Sequence, residues 1–225
     1  MMFSVSPNGP GSLGGRSCVQ RRARIALGRA TCDLEAENLI HDVIVALALL
    51  GVAGQALIGL LALVVLLRLT GAARPLQAVR RLLWGYELWL AFLVAAIATG
   101  GSLFFSEIAD FEPCELCWYQ RVCMYPLSIV TLLAAPANDH RVARYLLPLP
   151  VVGAGVAVYH LLVENGVVNQ TQACVVSAPG GCATKWIDEF GYVTIPTLAL
   201  TGFALTFAFL ALASLDSGRT AAESR

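Results

Sequence analysis

Apolar residues along this chain gather into five long stretches separated by short polar connections, at residues 42–69, 83–106, 118–135, 145–163 and 192–214. Each is close to the length of about 20 residues that a helix needs to cross a bilayer core. None alternates polar and apolar positions as a barrel strand would, so five helices are the economical reading. Pro126 lies inside the third stretch, and Pro148 and Pro150 lie near the start of the fourth. Prolines at such places mark bends in membrane helices. Gly51, Gly54 and Gly59 in the first stretch, and Gly153 and Gly155 in the fourth, permit close helix contact.

Composition agrees with that pattern. Hydrophobic residues make up 57% of the chain and charged ones only 13%, against about 25% charged in soluble domains. The mean hydropathy is +0.70. An all-α integral membrane protein built as one small bundle follows. The formal net charge of +0 argues against a nucleic-acid partner.

Charge placement orients the spans. The linker after the first stretch carries Arg68, Arg74, Arg80 and Arg81 without an acid, which makes it cytoplasmic. The next connection holds Glu107, Asp110, Glu112 and Glu115 and no base. His140, Arg141 and Arg144 bring the chain back inside, and the long loop 164–191 has only Lys185 against three acids. Arg219 and Arg225 mark the tail 215–225 as cytoplasmic. The first stretch disagrees, because Arg16, Arg21, Arg22, Arg24 and Arg29 precede an end that should lie outside. Either the later loops dominate, or this is a signal-like segment, or the chain begins further on. About 40 residues precede the span and its apolar run is long, which argues against a cleaved signal peptide. Residues 1–41 read as a disordered tail.

Seven cysteines divide by location. Cys114 and Cys117 form a Cys-x-x-Cys pair at the entrance to the third stretch, and Arg121 follows one helical turn later on the same face. A fixed cation there can lower a thiol pKa and hold a thiolate. Cys174 and Cys182 flank Ala178-Pro179-Gly180-Gly181, turn chemistry that folds the chain back on itself and makes a disulfide reasonable. Oxidised cysteines belong outside the cytoplasm, in agreement with the arginines. Cys123 falls about 180° round the helix from Cys114, as an inert core residue. Cys18 and Cys32 lie in the tail without an assigned role. Blander readings stand beside these. The pairs could be structural disulfides, or together a four-thiolate zinc centre, although no histidine accompanies either at ligand spacing. Arg121 could reach for headgroups. His160 could be an interfacial or packed histidine, and Trp118, Tyr119, Tyr159, Trp186 and Tyr192 an aromatic belt.

The run Pro113-Cys114-Glu115-Leu116-Cys117-Trp118-Tyr119-Gln120-Arg121, followed by Tyr125-Pro126, resembles the signature of the disulfide-bond formation protein B (DsbB) family. Tyr159-His160, the second cysteine pair and Ile195-Pro196-Thr197 support the resemblance, which covers roughly residues 83–214. The short Cys174–Cys182 spacing is similar to the compact-loop branch of that family. The resemblance implies a four-helix transmembrane core over 83–214, with an exterior cysteine loop at 164–191 and one additional N-terminal transmembrane helix at 42–69. It implies a protein dithiol:quinone oxidoreductase in a bacterial cytoplasmic (inner) membrane, its redox cysteines on the extracytoplasmic side. A reduced DsbA-like thioredoxin-fold thiol oxidase would attack Cys174–Cys182, and electrons would pass to Cys114 and Cys117. They would leave to a membrane quinone, ubiquinone or menaquinone, with Arg121 and His160 on the acceptor side. A vitamin K epoxide reductase-like enzyme also combines a helix bundle, two cysteine pairs and quinone, but its active pair lies late in the chain. A structural membrane protein stapled by disulfides is the remaining alternative.

Overall fold

The computed structural model describes the backbone of residues 14–70, 74–178 and 180–223, and the side chains of residues 37–70, 77–178 and 180–215. The described elements are α1 (Gly14–Leu69), α2 (Arg74–Leu83), α3 (Glu87–Glu107), α4 (Glu115–Ala137), α5 (Arg141–Leu146), α6 (Pro148–Glu164), α7 (Gln172–Ser177) and α8 (Ile195–Glu223), with a 3₁₀ turn at Gly181–Ala183. No strand occurs among the described residues beyond an isolated bridge between Glu189 and Val193. The protein is an all-α membrane protein.

Two compact units divide at Val43, Met1–Val43 and Ile44–Arg225. In the first, residues 1–13 of the tail expected to be disordered lie outside the described residues, and from Gly14 the backbone is helical. The Arg, Ala and Leu of this segment are strong helix formers, and no proline follows Pro10 until Pro75.

In the second unit α3, α4, α6 and α8 close a ring, α3 packing on α4, α4 on α6, α6 on α8 and α8 on α3. Its core runs through Leu88, Ala91, Ala95, Leu127, Phe203 and Leu210. Small residues let the helices approach. At Gly153 of α6 a Cβ would run into the Phe203 ring of α8, which is the close contact that glycine allows between helices in lipid.

Four helical segments are long and apolar enough to cross a membrane, Glu37–Leu69, Glu87–Glu107, Arg141–Glu164 and Ile195–Leu215. The third expected span is helical too, as α4 with 23 residues. Its Gln120, Arg121, Tyr119 and Tyr125 leave it more polar than the other four, because this helix carries the chemistry. Pro126 and Pro136 sit inside α4 without ending it, and Leu147, between α5 and α6, keeps helical angles at φ −51 and ψ −36, so the two run on as one segment past Pro148. Asn138, left-handed at φ 51, terminates α4. The last helix begins at Ile195 rather than 192, because the Glu189–Val193 turn comes first. It continues as helix to Glu223 through much of the expected tail.

Candidate redox site

Cys114 is the N-cap of α4, extended at φ −70 and ψ 171. One turn of helix brings Cys117 Sγ to 3.3 Å from Cys114 Sγ, an unbonded contact. The opposite arm of the site comes from the loop after α6. There Thr171 caps α7 by accepting from Cys174 N at 3.2 Å. Gly180 and Gly181, at φ +78 and +70, reverse the chain, and Cys174 and Cys182 close a disulfide with their Cα atoms 5.3 Å apart. Both sulfurs' residues are only 1% exposed. Gln170 Oε1 accepts from Cys182 N at 2.9 Å and ties the loop down. Pro179 lies outside the described residues.

His160 of α6 joins the two arms. Its Nε2 stands 3.1 Å from the Cys182 carbonyl and 3.7 Å from Cys114 Sγ, and its Nδ1 is 3.3 Å from Gln120 Nε2. With the Gln120 amide nitrogen assigned to face Nδ1, the ring accepts there and carries its hydrogen on Nε2, between carbonyl and sulfur. Cys114, Cys174 and Cys182 share one buried cluster, with Cys117 packed against it. The Cys114 thiol is pulled from its ordinary 9.0 down to about 4. The Cys117 thiol donates to it, burial opposes the charge, and His160 contributes a hydrogen bond. The N-terminus of α4 acts in the same direction.

Arg121 is buried, and it faces α3. Its Nε donates to Ser102 Oγ and its Nη2 to the Ser102 carbonyl, both at 2.8 Å. The guanidinium also lies 5.1 Å over the Trp118 ring. With Cys117 and Gln120 it forms the polar end of a cavity of about 370 Å³ walled by α1, α3, α4 and α8, within the usual size range of small-molecule sites. Phe105, Phe111 and Trp186 stack in series along it, with centroids 5.9 and 5.1 Å apart. Of the four paired cysteines only Cys117 lines this cavity; a second, small one joins Cys114 and Cys117 to His160, Glu164 and Cys182. Trp186, one of the residues of the expected aromatic belt, also forms part of this wall. Cys123 is half-buried against the bundle core, and the side chains of Cys18 and Cys32 lie outside the described residues.

Sequence spacing gave no histidine beside either pair, yet the donors of Cys114, Cys117 and His160 lie within 4.8 Å of one another. That set could hold one thiophilic cation, with an open fourth position. Ser102 and Gln170 also escape a sequence reading, and Gln120 enters it only as a member of the signature run without a role of its own. Each is a single neutral polar residue, and only its position against another helix or loop gives it a role.

Residues 80–213 match the family model described as "Disulfide bond formation protein DsbB". The chain belongs to the DsbB family. It is 46% identical over 131 residues to a probable disulfide formation protein of Deinococcus radiodurans, covering 55% of this chain and 86% of the relative. It is 43% identical over 126 residues to disulfide bond formation protein C of Bacillus subtilis, covering 56% and 90%. A probable disulfide formation protein of Coxiella burnetii is 40% identical over 144 residues, covering 61% and 95%. No solved structure matches the chain. This DsbB-family protein is thus a multi-pass membrane oxidoreductase of disulfide bond formation, and α1 lies outside the matched segment.

Proposed function

We propose that this protein reoxidises an extracytoplasmic thioredoxin-fold thiol oxidase and delivers the electrons to a membrane quinone, ubiquinone or menaquinone, from a bacterial cytoplasmic membrane. The supporting observation is a division of labour between neighbours. Cys114 faces the loop disulfide across His160, while Cys117 alone opens into the apolar cavity beside Arg121.

A partner thiolate attacks Cys174 and displaces Cys182 as a thiolate; the partner's second thiol then displaces Cys174 and leaves oxidised. The reduced loop pair next attacks the Cys114–Cys117 disulfide. Cys182 bonds to Cys114 and expels Cys117, and Cys174 then displaces Cys114, which restores the loop disulfide. The loop pair bonded and Cys114 and Cys117 free is the arrangement described above. A quinone bound at the polar end of the cavity supplies the sink for two electrons and two protons. Arg121 favours negative charge there, as a cation held in place by Ser102. His160 keeps a proton at Nε2 beside Cys114 Sγ, and the aromatic stack gives the cavity an apolar wall. The polar end beside an apolar interior suits a compact polar head on an apolar tail.

Anaerobic turnover of purified protein with a reduced thioredoxin-fold protein and defined quinones tests this. Cys117→Ser should abolish quinone reduction and Cys123→Ser should retain it. Wild-type protein that forms disulfides in the partner without consuming quinone would overturn the reading.

A further inference from the structure

We propose that α1, the helix outside the family match, is a specificity-determining wall of the acceptor cavity, holding the apolar tail of the acceptor whose head meets Cys117 and Arg121. The proposal rests on the quinone reading above and adds which part of the chain selects among tails.

Leu47, Leu50, Gly51, Ala53, Gly54 and Leu57 of α1 line the cavity. From 47 to 57 the helix rises about 15 Å, so this wall extends well beyond a ring-sized head. The facing wall is apolar as well, with Val94, Ile97 and Ala98 of α3 and Leu198 and Ala199 of α8.

The wall meets α8 at a few points. A Cβ on Gly51 would strike Leu198, and one on Gly54 would meet Thr201 and Leu205 at 2.9 and 3.0 Å, so α1 touches α8 at these two glycines. Gln55 stands between two otherwise apolar turns. Its Nε2 donates to Thr201 Oγ1 at 3.4 Å and its Oε1 accepts from Tyr192 Oη at 3.1 Å. An amide in a membrane span costs free energy unless it is bonded, and these bonds satisfy Gln55 on the side of α1 that meets α8. The helix rests on α8 at these points and leaves the cavity open beside them.

The chemistry of the occupant follows from the lining. Cys117, Gln120 and Arg121 make one polar end, and the rest of the lining is mostly apolar, with Thr201 a polar exception on α8. Lipid chains are as apolar as leucine side chains, so a wall within the membrane adds little affinity by hydrophobicity. Its contribution is shape. It turns a groove open to lipid into a channel that discriminates tails by bulk and length.

Full-length protein carrying Ala53→Phe, which adds bulk at a cavity-lining position, is compared with Ala56→Phe, which places the same ring on a position, likewise exposed, that does not line the cavity. Two acceptors share one quinone head, with and without an isoprenoid tail, and a tail-borne photoreactive group is mapped by mass spectrometry. Overpacking in Ala53→Phe should raise KM for the tailed acceptor by about tenfold. The tailless KM and both kcat values should stay unchanged, and Ala56→Phe should behave as wild type. The photolabel should map to α1 in wild type and be lost there in Ala53→Phe. If Ala53→Phe does not fold, Leu57→Trp serves with the same readouts. Equal losses with both acceptors, or a label confined to α3, α4 and α8, would overturn the proposal. So would a label on α1 that excess tailed quinone fails to displace but phospholipid does. Wild-type protein that reduces neither acceptor would instead bring down the quinone reading on which it rests.

Discussion

His160→Ala should raise the pKa of Cys114 and slow exchange between the two cysteine pairs. In the reduced protein His160 Nε2 lies 3.7 Å from Cys114 Sγ, a long contact even for sulfur. A hydrogen bond to a charged group contributes about 1.5–3 kcal/mol, and one pH unit corresponds to about 1.36 kcal/mol. The long distance favours the lower end, so the midpoint should rise from about 4 by about one pH unit. Cys117→Ala, which removes the largest contribution, should raise it further. The sign for stability follows directly. The folded value lies below the ordinary 9.0, so the stabilisation from the Cys114 thiolate is complete above pH 9 and is lost as pH falls through about 4. His160→Ala therefore loses that stabilisation at a higher pH. Thiolate ultraviolet absorbance followed against pH measures the midpoint, in protein reduced at Cys114 and Cys117 with Cys18, Cys32 and Cys123 replaced by serine. Cys114→Ser provides the blank. A midpoint unchanged in His160→Ala, while Cys117→Ala shifts it, would reduce His160 to a packing residue.

Cys182→Ala should accumulate a covalent complex with the thioredoxin-fold partner through Cys174, visible on non-reducing gels; a complex that instead needs Cys182 and survives loss of Cys174 reverses the two roles. Gln170→Ala should speed partner exchange several-fold, because Cys182 N loses its acceptor and the buried disulfide is exposed more often; stopped-flow mixing with reduced partner measures it, and an unchanged rate would mean that another contact limits opening. Arg121→Met should raise quinone KM while sparing exchange at Cys174–Cys182, with Arg121→Lys restoring only part of the loss because it lacks the planar fork that grips Ser102. Equal KM values in Arg121→Met and wild type would make Arg121 a structural anchor to α3.

The helical membrane class, helix over each of the five apolar stretches and the turn that pairs Cys174 with Cys182 were all legible in the sequence. These features depend on apolar run length and on turn residues, both local properties of the chain. The Cys-x-x-Cys pair at the mouth of α4 was legible for the same reason, since its partner is one turn away. The polar character of α4 could be counted in advance but not its consequence, that Gln120 and Arg121 face inward to His160 and Ser102. Only the tertiary structure put His160 between Cys114 and the Cys182 carbonyl, across separations of 46 and 22 residues. It alone turned Arg121 toward α3 and placed α1 against α8 by two glycines and Gln55. Which way a helix faces is set by side chains far along the chain that pack against it. The spacing of residues within one helix carries no record of that rotation.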